Sequence, residues 1–231
     1  MLIGPQNLAV CVTDIRSRIE RAARASGRDP ATVSLIAVSK TQPAERIREA
    51  ARVGVTDFGE NYVKEALAKI DALADLPLRW HFIGRIQTNK TRPIAERFDW
   101  VHSVDRLEVA RRLSSQRPFH APPLNVCLQV ALVPEPTKGG FDPDELAGAA
   151  TEIAALPRLR LRGLMCIPPP QPDLAEARTL FARLRELERL LDSTGMKLDT
   201  LSMGMSDDFE AAIAEGATQV RIGTALFGAR A

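Results

Sequence analysis

Lys40 closes VSLIAVSK (33–40), a β-branched apolar run that ends in one charge. Lysine is scarce in the chain, six against twenty-five arginines. An ammonium set against apolar walls loses solvation, its pKa falls, and the free amine becomes a nucleophile toward an aldehyde. Position alone leaves an equal alternative, a stem lying on apolar surface with its charge in water. Ser206 in MGMSDD and Gly223–Thr224 in RIGTALFG stand near the C-terminus. Ser206 reads as the N-cap of a following helix, where its hydroxyl and first-turn N–H groups can face a phosphate. Gly223 admits close backbone approach and Thr224 adds a hydroxyl. Asp207 and Asp208 oppose an anion there unless they point away. Arg221 lies between Val220 and Ile222, so alternation sends it to the face opposite them. Directed into a small barrel it needs an acceptor, either a bound group or a buried acid such as Glu60.

These residues fall at the ends of strand-like runs that alternate with helical patterns along the whole chain. A first helical face, in 5–26, collects Leu8, Cys11, Val12, Ile15, Ile19 and Ala22. Strand-like runs follow at 33–40, 56–60, 79–84, 99–104, 124–132, 159–165, 199–205 and 218–223. Helical segments are expected at 43–52, from 61, at 88–97, from 105, and at 142–155, 173–192 and 206–215. Strict alternation implies parallel strands joined by crossover helices. Eight units in 231 residues suit a single (β/α)8 TIM-type barrel domain over 1–231, with an extra N-terminal helix. An open doubly wound sheet is the alternative, but no GxGxxG turn follows the first strand. Only eight residues follow Gly223, too few for a full last helix. The N-terminal helix is therefore expected to cover the gap beside the last strand.

Bulk properties exclude several classes. Apolar residues make up 45% and charged residues 26% of the chain, with a net charge of +2. No basic block suggests a nucleic-acid partner. No apolar run is long enough to span a bilayer, and the N-terminus does not read as a signal peptide. Cys11, Cys127 and Cys166 are far apart, with no CxxC or Cys/His cluster. Neither a disulfide framework nor a metal site is expected. The cysteines read as small buried hydrophobes in a reducing, cytoplasmic setting.

AVSKTQP (37–43), FGENYVKEA (58–66), WHFIGRIQTNK (80–90), LRLRGLMCIP (159–168), LSMGMSDDFEAAI (201–213) and VRIGTALFGAR (220–230) occur in order through nearly the whole chain. Together they resemble the YggS/PROSC family of pyridoxal phosphate homeostasis proteins. The resemblance implies a barrel like the N-terminal domain of alanine racemase, without that enzyme's second domain. It implies a Schiff base between Lys40 and pyridoxal 5′-phosphate (PLP), phosphate contacts from Ser206, Gly223 and Thr224, and Arg221 near the pyridine nitrogen. Asn61, His81 and Met203 would line the pocket, and Lys138 in TKGG matches a second family lysine tied to cofactor handling. Lys138 reads equally well as a solvated loop charge. Three positions depart from the family pattern: Arg85 stands in place of proline, Ala131 near a usual asparagine, and TKGG in place of SKSG.

The role implied by the resemblance is a monomeric carrier or buffer in vitamin B6 and amino-acid homeostasis, with PLP-dependent apo-enzymes among possible recipients. An arginine at the pyridine nitrogen disfavours its protonation and weakens the electron sink that amino-acid chemistry requires. Racemisation would need a base on each face of the substrate. Lys40 serves one face; Tyr62 and His81 are the only candidates for the other, and neither is convincing. An amino-acid racemase is the second reading. A Schiff-base aldolase acting on a phosphorylated sugar is the third.

Overall fold

The computed structural model describes residues 7–133, 139–169 and 173–228. Eight parallel strands close into a barrel in simple sequence order. They are β1 (Ser34–Val38), β2 (Asp57–Glu60), β3 (Arg79–Phe82), β4 (Trp100–Val104), β5 (Leu124–Gln129), β6 (Leu159–Met165), β7 (Thr200–Ser202) and β8 (Gln219–Ile222). The barrel shuts where Ser34, Leu35, Ile36 and Ala37 of β1 pair with Gln219 to Ile222 of β8. Outside it run α1 (Leu8–Ala25), α2 (Ala44–Arg52), α3 (Val63–Ala72), α4 (Thr91–Arg97), α5 (Leu107–Gln116), α6 (Leu146–Ala154), α7 (Leu174–Ser193), α8 (Phe209–Ala214) and α9 (Thr224–Phe227). The expected TIM-type architecture is what the chain adopts.

Two apolar layers follow from strand alternation. Outward residues such as Ala37, Phe58, Phe82, Val126, Leu164 and Val220 join the helices in one continuous core. Inside the barrel a much smaller apolar group, Trp100, Cys127 and Met165, fills one side. Gly163 is needed where β6 meets β7, because a Cβ there would collide with the Thr200 carbonyl oxygen.

The N-terminal helix takes the place expected of it. Leu8, Val12, Ile15, Ile19 and Ala23 are buried along one face of α1, which packs against α8, α9 and α2. The four-residue α9 cannot shield the β8–β1 seam by itself. Asn7 caps α1 by accepting the Ala9 N–H. The Arg18–Glu210 ion pair (2.7 Å) and the Arg28 hydrogen bonds to the carbonyls of Ile213 and Ala217 fasten the α1 region to α8. Each buried aliphatic side chain contributes about 1.5–3 kcal/mol. Deletion of residues 1–26 is therefore expected to leave the barrel wall bare and the product insoluble. A soluble truncated chain with a cooperative melting transition would contradict this.

Several helices start later than the sequence expectation, α3 and α5 by two residues, α4 by three behind a short 3-10 turn at Thr88–Lys90, and α6 and α8 as well. α6 begins at Leu146 rather than 142, and α8 begins at Phe209 rather than 206. In the second case residues 206–208 form turns, with consequences for Ser206 described below. Among the described residues no helix is long and apolar enough to cross a membrane.

Candidate functional site

The C-terminal ends of the strands bring Lys40 to the loop after β8. Val38, Lys40, Gln42, Gly223, Thr224, Phe227 and Gly228 line one small cleft. Lys40 is half-buried there, and Thr224 is exposed. Gly223 lies against β1: a Cβ on it would sit 3.4 Å from Val38 Cβ and 3.5 Å from the Val38 carbonyl oxygen.

Ser206, in the β7–α8 loop, meets the loop after β8 beside that cleft. It is not the N-cap of α8, as the sequence suggested; Asp208 holds that position. The Ser206 hydroxyl instead accepts the Ala225 N–H at 3.3 Å, which joins the loops after β7 and β8. Of the two acids that seemed to oppose an anion, Asp208 is half-buried and lies close enough to Arg221 to feel its charge. Asp208 Oδ1 accepts the Met205 N–H at 2.6 Å, and Asp207 is exposed.

Asn61 follows β2, with a buried Oδ1 that has no hydrogen-bond partner among the described residues. Its backbone rests on Gly84, where a Cβ would collide with the Asn61 carbonyl oxygen. The loops after β2 and β3 are thus in contact. Met203 does not face the barrel interior. It is fully buried in the outer core, one residue past the inward Ser202. Lys138 lies outside the described residues. Arg85 is exposed, and the Ala131 N–H is held by the Phe141 carbonyl.

Arg221 enters the barrel interior as alternation required, but its acceptor is not Glu60. Nη1 donates to Ser202 Oγ (2.7 Å) and Nη2 to the Cys166 carbonyl (2.8 Å). Arg221 can only donate and the Asp57 carboxylate can only accept, so two neutral imidazoles between them leave one direction for a chain that crosses the barrel. Ser202 gives its proton to His102 Nδ1 (2.8 Å). His102 Nε2–H then donates to His81 Nδ1 (2.9 Å), and His81 Nε2–H to Asp57 Oδ1 (2.9 Å). Arg79 Nη2 (2.6 Å) and Thr56 Oγ1 (2.8 Å) complete the Asp57 carboxylate. Both imidazoles are neutral, because burial pulls the His81 pKa down and the His102 pKa well down. His81 also stacks on Trp100 at a centroid distance of 5.7 Å. It belongs to this sealed chain rather than to the cleft wall that the resemblance implied.

Desolvation alone would raise the Asp57 pKa, but the hydrogen bonds from His81 and Arg79 outweigh it and bring it down to about 2. Its folded pKa is below its unfolded one. The resulting stability is present above pH 4 or so and lost as pH falls toward 2, each tenfold gain in acidity on folding being worth about 1.4 kcal/mol. Asp57→Asn is expected to lower the melting temperature at pH 7 and to narrow the gap from wild type near pH 2. Parallel pH–melting curves for the two proteins would contradict the assignment.

The sequence carries one signal for this chain. Asp57, His102 and Ser202 are polar residues at inward positions of buried strands. No disulfide was expected, and none of the three cysteines forms one; burial pushes the Cys127 and Cys166 thiols up to about 12. A wider cleft, of about 390 Å³, opens at the opposite rim between α1 and the starts of β1 and β2. Its described lining includes no lysine, and it faces the end of the barrel where active sites do not form.

Comparison with known proteins gives a consistent result. The family model for the alanine racemase N-terminal domain matches residues 10–231. A pyridoxal phosphate homeostasis protein of Pseudomonas aeruginosa is 63% identical over 223 residues, covering 96% of both chains. Its counterpart from Escherichia coli is 48% identical over 227 residues, covering 97% of both. The structure of PipY from Synechococcus elongatus with PLP bound superposes with a TM-score of 0.81 at 44% identity, covering 91% of this chain and all of that one.

Proposed function

This chain belongs to the family of pyridoxal phosphate homeostasis proteins, and from that premise we propose that it binds PLP as a Schiff base on Lys40 and keeps the reactive aldehyde from stray amines. The observation that carries this reading is the cleft shared by Lys40 and the loop after β8. The residues present fit such a group. Lys40 supplies the amine. Ser206, Thr224 and the backbone at Gly223 offer the neutral donors that a phosphate takes at a barrel rim. Arg221, fully buried and facing hydroxyl and carbonyl acceptors, brings positive charge to the interior beneath. Asn61 keeps an unused buried acceptor at the same end. When bound, PLP supplies an electrophilic carbonyl and a pyridine ring able to accept electrons.

Cofactor handling is favoured over turnover by the state of the two candidate second bases. Both His81 ring nitrogens are committed to His102 and Asp57, inside the barrel. Tyr62 is 58% exposed, open to water rather than held against a substrate face. We place PLP-dependent apo-enzymes and free amines among the recipients, with the protein acting as a monomer in the cytoplasm. Amino-acid homeostasis follows from PLP supply.

A visible spectrum of the purified protein with PLP, before and after borohydride, followed by peptide mapping, tests the reading. The expected result is a yellow protein with one reduced adduct on the peptide containing Lys40. A colourless protein, or an adduct on another lysine alone, overturns it. Conversion of L-alanine to D-alanine at about one turnover per second or faster would instead favour a racemase.

A further inference from the structure

Lys40 occupies the second position of a four-residue turn, closed by the Gln42 N–H donating to the Ser39 carbonyl at 3.0 Å. Thr41, the third residue, has φ of 66°. A type II turn demands positive φ at that position and favours glycine there. A β-branched residue resists it, and such a conformation persists only where its surroundings hold it.

The hold comes from α3. Lys69 Nζ donates to the Ser39 carbonyl (2.7 Å), to Glu60 Oε1 (2.7 Å) and to Glu65 Oε1 (2.5 Å). An ammonium has three N–H groups, and all three are used. Glu65 Oε1 also accepts the Thr41 N–H at 2.5 Å, and Ser39 Oγ donates to Glu60 Oε1 at 2.6 Å. The backbone on both sides of Lys40 is therefore tied to one i,i+4 pair. The cluster is costly as a stabilising device. Glu60 is fully buried, and its Oε2 has no partner among the described residues. A buried ion pair of this kind stabilises a fold little beyond what apolar packing gives.

We propose that Lys69 and Glu65 are positioning residues for Lys40: they hold Ser39–Gln42 in the strained turn that aims the Lys40 amine into the cleft. This rests on the reading of Lys40 as the PLP lysine. Attack on a carbonyl requires a narrow approach, so a turn that relaxes removes competent conformers without removing the amine. Neither side chain touches the aldehyde; both act through the backbone.

Glu65→Ala is the primary test, because Glu65 is partly exposed and its loss leaves Lys69 on Glu60. Lys69→Met is the second, and each is made again with Thr41→Gly. Two quantities are measured on the full chain: the rate at which added PLP becomes borohydride-trapped on Lys40, and amide exchange of the 39–43 segment without PLP. Glu65→Ala is expected to slow attachment about fivefold and Lys69→Met about tenfold or more, each with faster exchange, as the competent turn becomes a minor conformer. Thr41→Gly should restore attachment in both backgrounds to within about twofold, because glycine takes positive φ without steric cost. Unchanged attachment and exchange in Glu65→Ala overturn the proposal. Slowed attachment that Thr41→Gly fails to restore also overturns it, since general loosening would not be rescued at Thr41. If the unsubstituted protein attaches PLP elsewhere, the functional reading fails, while exchange at 39–43 still decides whether the clamp exists.

Discussion

Lys40→Ala is expected to abolish the visible band and every borohydride-stable PLP adduct while leaving the barrel intact. The loss is all or none because the linkage needs a primary amine at this place. Lys69 is the nearest lysine in chain order on the same rim with described contacts, and its three N–H groups are already taken by Ser39, Glu60 and Glu65. Lys197 precedes β7 and so lies toward the other end of the strand. The cost to the fold is small, because a half-buried turn residue leaves no core cavity; a shift in melting temperature within about 3 °C is expected for a change of about 1 kcal/mol or less. Noncovalent PLP should still bind weakly through the Ser206 and Thr224 loops. An adduct that persists in this variant on the peptide containing Lys138 would assign that lysine the covalent role instead. A melting temperature lower by about ten degrees or more would show that Lys40 is structural.

What could be read in the residues, and what could not, follows from the range over which each signal acts. Barrel closure was legible because it repeats: eight strand–helix alternations force parallel pairing. The cleft shared by Lys40, Gly223 and Thr224 was legible because residues at the C-terminal ends of barrel strands meet at one rim. Ser206 was placed at the right rim with the wrong neighbour. SDD reads locally as a cap, but the chain turns for three more residues, Asp208 takes the capping position, and Ser206 turns to the Ala225 N–H. Met203 and His81 lie away from that cleft because a motif carries order along the chain but not facing. One residue of alternation sends Met203 into the outer core, and alternation along β3 sends His81 into the barrel, where it meets the Asp57 carboxylate. The Lys69 clamp joins residues thirty positions apart and has no local signature.

The second large effect is expected for Arg221→Glu, and it turns on hydrogen-bond direction rather than size. Arg221 starts a chain of donors that runs through Ser202, His102 and His81 to Asp57. A carboxylate in its place must accept where the guanidinium donated. Ser202 would then give its proton to the carboxylate and take one from His102 Nδ1, and His102 Nε2 would take one from His81 Nδ1. His81 would face Asp57 with a lone pair unless it bound an extra proton, which its burial opposes. The alternative is that the new carboxylic acid keeps its own proton and donates to Ser202. Both solutions bind one proton that the unfolded chain has released by neutral pH, given ordinary values of about 4.3 for Glu and 6.5 for His. The folded pKa of the group concerned is then above its unfolded value. The variant is therefore most stable in mild acid and loses about 1.4 kcal/mol for each tenfold fall in proton concentration as pH rises toward neutrality. Together with the Cys166 carbonyl left without its donor, the penalty at pH 7 should reach about 3–5 kcal/mol, or roughly 10 °C in melting temperature. PLP occupancy should fall with it, because the interior loses its cation. Melting curves from pH 5 to 8 decide the matter: a gap from wild type that does not widen with pH would mean that the polarity of the chain is not set by Arg221.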